Sequence, residues 1–230
     1  MSSNQSFDRR TTLTLAGLIA VAGAVLVLAF SGAQAGHAHG GHGQETAAVS
    51  TQKQAAFQDT MRKLWEDHIT WTRLAIISFA HDLPDLPATQ NRLLRNQAEI
   101  GNAIKPYYGR AAGDRLTALL KEHIVGAVAL LQAANAGDQN LIEQRSDEWY
   151  ANGAEIADFL HAANPRHWPR RTMRRLMKGH LDQTVSEAVH RLEGRYGADV
   201  RDYDEIHHHI LKMADRLSMG IIKQFSRRFR

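Results

Sequence analysis

The sequence predicts an all-α fold, an up-and-down antiparallel bundle of about six helices. Strand-like alternation is scarce, while Ala, Leu, Arg, Gln and Glu, which favour helix, are abundant. Apolar residues recur at the three- and four-residue spacing of amphipathic helices. The five prolines, at positions 84, 87, 106, 165 and 169, fall where these patterns stop or start.

Proline and glycine mark the helix boundaries in order. The first helix stops at Pro84, the second begins at Pro87 and ends before Pro106, and the third ends at Gly137. The predicted helices cover residues 52–81, 87–105, 112–136, 138–163, 169–196 and 200–226. Their short connections make consecutive helices antiparallel neighbours, which predicts a four-helix-bundle-like core with an added helix pair.

The N-terminus has the three parts of an export signal. Arg9 and Arg10 precede an apolar run over residues 13–30, and Ala33-Gln34-Ala35 is a small-residue cleavage site. We therefore assign residues 1–35 to a signal peptide and expect a periplasmic or extracellular protein. The arginine pair is also compatible with a twin-arginine signal. An uncleaved membrane anchor is the alternative, because the apolar run is long.

Residues 36–50 follow as a flexible His/Gly-rich segment before the helical domain at 51–230. Its sequence GHAHGGHG carries His37, His39 and His42, which are close enough for two or three imidazoles to share one Cu²⁺, Ni²⁺ or Zn²⁺. We predict a secondary metal site here. The alternative is a soluble spacer.

The amino-acid composition limits which metals, ligands and macromolecules the protein can bind. The absence of cysteine rules out disulfides, thiol catalysis and cysteine-ligated clusters, so a metal would need His, carboxylate, Met or backbone ligands. The net charge of +4 is small, and no groove-reading or RNA-binding motif is present, so nucleic acid is not expected. Arginine clusters at 170–175 and 227–230 predict weak contact with an anionic membrane surface, or else a solvated basic face. The oligomeric state is left open.

One histidine falls within the apolar stripe of each of four predicted helices. These are His68, His123, His180 and His207. A buried imidazole needs a partner, because an unsatisfied buried polar group costs about 1–3 kcal/mol. One such residue is usually a satisfied core histidine, but four on facing stripes predict an internal polar site.

Counting residues outward from each loop predicts which side chains lie at one level. It places His68 and His123 beside Gln97 and Asn152. Three tryptophans are expected to line the pocket around this layer, namely Trp65, Trp71 and Trp149. In the last hairpin, Glu187 is level with His207, whereas His180 is offset from His207 and could join the first layer.

Other spacings in the sequence also contain possible metal ligands. Glu187-x-x-His190 and Glu205-x-x-His208 resemble the motifs of di-iron bundles, but no clean carboxylate partner occupies the first or third stripe. The Met173–Met177 pair fits core filling better than copper binding.

Seven short segments together carry a family resemblance: residues 64–73, 92–101, 106–109, 122–124, 164–165, 213–215 and 224–225. They resemble a family of small exported bacterial helical proteins without an established activity, over about residues 60–226. The resemblance implies the helical fold and a location outside the cytoplasm, and it supplies no mechanism. Some members carry a glycosyltransferase label, but this chain lacks the α/β nucleotide-binding pattern that such chemistry usually needs.

The leading functional hypothesis is non-catalytic binding of a transition metal or small ligand. The expected ligands are His68, His123, His180, His207 and Glu187, and the metal is copper, zinc or iron. Two alternatives stay open. One is a structural cell-envelope protein whose histidines only hold helices in register. The other is an enzyme with His68 or His123 as general base, which no nucleophile or phosphate-binding loop supports.

Overall fold

Six long helices follow one another in the computed structural model, which describes residues 51–230. The helices are α1 (Gln52–Ala80), α2 (Leu86–Tyr108), α3 (Arg110–Ala136), α4 (Gln139–Ala163), α5 (Arg170–Leu192) and α6 (Tyr196–Gln224), and a short 3₁₀ turn (Ser226–Phe229) ends the chain. The described residues contain no strand. The predicted all-α, up-and-down bundle is confirmed.

The helices pack as a closed ring. Each contacts its neighbours in sequence, α6 returns onto α1, and α1 also contacts α5 across the ring. The two ends of the helical domain meet where the ring closes, because Thr51 Oγ1 donates to the carbonyl of Phe229 at 2.6 Å. Thr51 also caps α1 through a reciprocal pair of hydrogen bonds with Gln54.

Three predicted boundaries were wrong by three or four residues, and one of them is the start of the sixth helix, at Tyr196 rather than 200. The fifth helix ends at Leu192 rather than near 196, because Gly194, not Gly197, takes the left-handed conformation with φ of 70°. The second helix runs through Pro106 to Tyr108, since a proline in the last turn disturbs little of the helix. It stops at Gly109, where φ is 85°.

The core runs the length of the bundle. It is built from buried side chains of all six helices, among them Leu119, Ile156 and Ile210, none of which is measurably exposed. Helix α3 is long and apolar enough to cross a membrane by length and composition alone. Its contacts with α2 and α4 are those of a core helix in a bundle.

Candidate functional site

Three of the four stripe histidines meet in the middle of the bundle. His68 on α1, His123 on α3 and His180 on α5 are at most 4% exposed. The ring centre of His180 lies 5.6 Å from that of His68 and 6.3 Å from that of His123. The structure thus brings His180 into the layer of His68 and His123, between the two.

Two amides from the other helices hold this layer. Gln97 Nε2 lies 3.2 Å from His68 Nδ1, and His123 Nδ1 lies 2.9 Å from Asn152 Oδ1. The amide oxygen of Asn152 can only accept, so His123 Nδ1 carries the proton and its Nε2 bears a free lone pair. Asn152 is itself fixed by a hydrogen bond from its Nδ2 to the carbonyl of Leu119.

Tryptophan forms the walls of the layer on two sides. Trp149 stacks on His123 with ring centres 5.0 Å apart, and its Nε1 donates to the His123 carbonyl at 3.0 Å. Trp65 meets His68 edge-on at 5.8 Å. Trp71, the third predicted pocket residue, instead lies under the guanidinium of Arg92 and is not among the residues in contact with these rings.

All three imidazoles are held neutral. Burial lowers the pKa of His68 to about 3, with His123 as a further cause, and burial lowers the pKa of His123 to about 4. The pKa of His180 is also well below its usual value, through burial and then the neighbouring His68 and His123. Neutral imidazole is the form that binds metals.

Buried polar atoms without hydrogen-bond partners concentrate at this layer. Of the five such atoms in residues 51–230, three are Trp65 Nε1, Gln97 Oε1 and His180 Nδ1, while the other two, Gln183 Oε1 and Arg191 Nε, belong to residues outside the layer. Gln97 Nε2, by contrast, lies near three acceptors, the Leu93 carbonyl, Asn96 Oδ1 and His68 Nδ1. An amide nitrogen has only two hydrogens. Orphaned donors and acceptors of this kind are the usual signature of a bound water, ion or ligand.

His207 and Glu187 do not join the site, and their predicted pairing was wrong. The buried face of α6 runs through Ile206, Ile210 and Met213 rather than through His207, which is about 100° further round the helix. His207 Nε2 therefore lies at the bundle surface, 2.9 Å from Glu66 Oε1.

Glu187 belongs to a separate ionic cluster between α1, α5 and α6. Its Oε1 accepts from Arg73 Nη1 at 2.7 Å, and the same nitrogen reaches Asp199 Oδ1 at 2.8 Å. Asp199 also pairs with Arg191. Burial raises the pKa of Glu187 to about 7 against the opposing effect of Arg73. Sequence reasoning missed this cluster, although Asp199, seven residues before Ile206, is in phase with the buried face of α6.

An apolar chamber of about 70 Å³ lies one helical turn from the histidine layer, toward the α1–α2 and α5–α6 turns. Thr72, Ala127 and Thr184 follow His68, His123 and His180 by four residues and line it. Trp149 is shared between the chamber and the layer. Its other walls are aliphatic and aromatic side chains from α1 to α5, among them Ile76, Phe79, Leu93, Leu130 and Val189.

Within residues 51–230, no three His, Asp or Glu side chains stand close enough together to hold a metal ion as placed. The carboxylate–histidine motifs do not form a di-iron centre either, since His190 Nδ1 pairs with Asp202 at 2.5 Å. His37, His39 and His42 lie outside the described residues.

No protein-family model, curated protein or solved structure matches this chain.

Proposed function

We propose that this protein binds a transition metal ion, without catalysis, through His68, His123 and His180. The observation that carries the proposal is the cluster of three buried neutral imidazoles together with the unpartnered polar atoms around it. A purely structural layer would be expected to satisfy those atoms, because each unpaired buried polar atom costs about 1–3 kcal/mol.

The ring spacings are close to those of a metal site. Two imidazoles that share one Zn²⁺, at about 2.0–2.1 Å from each nitrogen, bring their ring centres to roughly 5 Å. The observed separations of 5.6 and 6.3 Å would have to close by about 1 Å, which takes a change of χ1 or of helix position, because rotation about χ2 leaves the ring centre in place. Zinc and copper suit imidazole best, and iron is the third choice. Gln97 Oε1 is the nearest unpartnered oxygen to complete the set.

The low basicity of the histidines favours binding over catalysis. A general base works best with a pKa near the operating pH. Burial lowers the pKa of His68 to about 3 and that of His123 to about 4, which makes both poor bases at neutral pH. The export signal of residues 1–35 supports a location outside the cytoplasm, where the His37, His39 and His42 segment would capture metal loosely. Protein from the extracytoplasmic fraction should then begin at Gly36.

A small apolar ligand is the second candidate, and the chamber beside Trp149 favours it. An apolar cavity of about 150 Å³ can bind benzene or xenon, so the volume of about 70 Å³ here favours a smaller apolar molecule. Under this alternative the histidine layer is the polar floor of the chamber. Ligand binding would quench or shift the fluorescence of Trp149 without any metal.

The test is metal binding by the full chain carrying His37→Ser, His39→Ser and His42→Ser, so that the N-terminal segment cannot contribute. We expect close to one Zn²⁺ or Cu²⁺ per chain by elemental analysis, and a higher melting temperature on loading. His180→Leu should abolish both effects, whereas His208→Leu, an exposed control on α6, should retain them. Metal-free protein after loading, with unchanged melting, would overturn the proposal, as would full binding by His180→Leu.

A further inference from the structure

Exposed arginines gather at the end of the bundle where α5 begins and the chain terminates. We call this surface the basic end and define it by Arg166, Arg170, Arg171, Arg175, Arg227 and Arg230, all exposed. The two segments are adjacent, because Asn164 Nδ2 donates to the carbonyl of Gly220 at 2.9 Å and Trp168 Nε1 to that of Arg216.

The basic end has little compensating negative charge. Asp158 pairs with Arg174 at 2.6 Å and lies 3.6 Å from Arg170. Four of the other arginines make no ion pair within residues 51–230: Arg166, Arg171, Arg175 and Arg227. The small net charge of the chain therefore conceals a concentrated positive surface.

The opposite end of the bundle is acidic. The turns and helix ends there expose Asp82, Asp85, Asp138, Glu143, Glu193 and Asp204, against two exposed arginines, Arg195, which pairs with Glu193, and Arg201. The molecule thus has positive charge at one end of its long axis and negative charge at the other. Such a distribution orients a protein in an external field far more strongly than its net charge suggests.

The basic end is also where the chain enters the bundle. Thr51 is tied to Phe229, and Lys53 Nζ donates to the carbonyl of Arg230 at 2.8 Å. The preceding fifty residues, with the apolar run at 13–30, are therefore joined to the bundle at this end.

We infer that the basic end docks the bundle on an anionic lipid surface, with its long axis upright and its acidic end pointing away. The arginines supply attraction to anionic headgroups, and the acidic end is repelled by them. Each arginine near such a surface contributes about a fivefold gain in partitioning, an effect that salt screens. A surface with several unpaired arginines fits an anionic membrane better than a groove of nucleic acid, because no base-reading element accompanies it. This inference is independent of the metal site.

The test compares binding of the full chain to vesicles of phosphatidylcholine alone and of phosphatidylcholine mixed with phosphatidylglycerol. The difference between the two lipids removes any partitioning by the apolar run. One variant carries Arg166→Gln, Arg171→Gln, Arg175→Gln and Arg227→Gln. Its matched control carries the same change of charge at exposed positions away from the basic end: Arg95→Gln, Arg195→Gln, Arg201→Gln and Lys212→Gln.

We expect the first variant to lose the anionic-lipid increment by at least tenfold, and the control to lose less than threefold. High salt should abolish the increment of the wild type. Circular dichroism should show both variants to be folded. The inference is overturned if the wild type shows no increment, if both variants lose it equally, or if a DNA duplex competes the protein off the anionic vesicles, which would indicate nucleic acid instead.

Discussion

The imidazole of His180 lies 5.6 Å from that of His68, yet His180 Nδ1 is buried without a hydrogen-bond partner. His68, on the other side of the pair, is engaged by Gln97. The layer therefore contains one anchored and one unanchored histidine in contact. Substituting each histidine in turn should therefore distinguish its effect on the stability of the metal-free protein from its effect on metal binding.

His180→Leu should leave the metal-free protein as stable as the wild type, to within about 1 kcal/mol, or make it more stable. The substitution removes an unpaired buried polar group and keeps the side-chain volume. His123→Leu should instead cost about 0.5–1.5 kcal/mol, because it removes the hydrogen bond to the partly buried Asn152 Oδ1. Urea unfolding at neutral pH in the presence of a chelator measures both. Equal losses in the two variants would contradict the assigned hydrogen bonding.

The metal-free protein should lose stability as the pH falls below 6.5. The folded-state pKa values of His68 and His123 are lowered to about 3 and about 4, so below pH 6.5 the unfolded chain binds more protons than the folded one. Each histidine then contributes a slope of up to about 1.4 kcal/mol per pH unit. Urea unfolding between pH 7.5 and 5 tests this. Glu187 contributes a slope of the opposite sign over the same range, so the histidine slope is read in Glu187→Gln, where a flat profile would mean that the rings are solvated.

The stability of Glu187→Gln relative to the wild type should rise with increasing pH. The pKa of Glu187 is raised to about 7 by burial, so its contribution to stability is present at low pH and is lost as the pH rises through 7. The glutamine variant lacks this loss and keeps an acceptor for Arg73. Its stability relative to wild type should therefore improve from pH 5 to pH 8. A pH-independent difference between the two proteins would argue against the raised pKa.

Gly220→Ala should destabilise the bundle severely, by about 2–4 kcal/mol. A Cβ atom at Gly220 would lie 2.0 Å from Trp168 Nε1, in the contact that joins the start of α5 to α6. Gly197→Ala is the matched control in the same helix, because a Cβ there meets only Arg201 Nη1 at 3.8 Å. It should be neutral or stabilise by up to about 1 kcal/mol. Thermal melting of the two variants compares them directly.

The level of the histidines along the bundle could be predicted from the sequence, because it depends only on a constant rise per residue and short connections. That reasoning put His68, His123, Gln97 and Asn152 together and left His180 free to join them. The rotation of each helix about its axis is harder to predict. His207 was assigned to the buried face of α6 because its stripe could be drawn through Tyr203 and Leu211 as well as through Ile206 and Ile210.

The partner of Glu187 could not be predicted by the same method. Counting levels compares positions along helices, whereas Arg73 reaches Glu187 and Asp199 with a long side chain that is itself only 17% exposed. Its guanidinium also lies 4.6 Å from the ring centre of Tyr203. Arg73 contacts carboxylates on two other helices because its side chain is long. The periodicity of any one helix does not predict such a contact.

Because α6 closes the ring on α1, the helix at which the chain begins can be changed without changing which helices are neighbours. Because Thr51 and Phe229 are hydrogen-bonded, a short linker from Arg230 to Thr51 would close the helical domain once residues 1–50 are left out, and new ends could be opened at the exposed turn of Gly137 and Asp138. Such a circular permutant would keep every pair of neighbouring helices and the histidine layer. The termini of the bundle would then lie at the acidic end. The effect of where the N-terminal segment is attached could be measured separately from the effect of the chain order on folding.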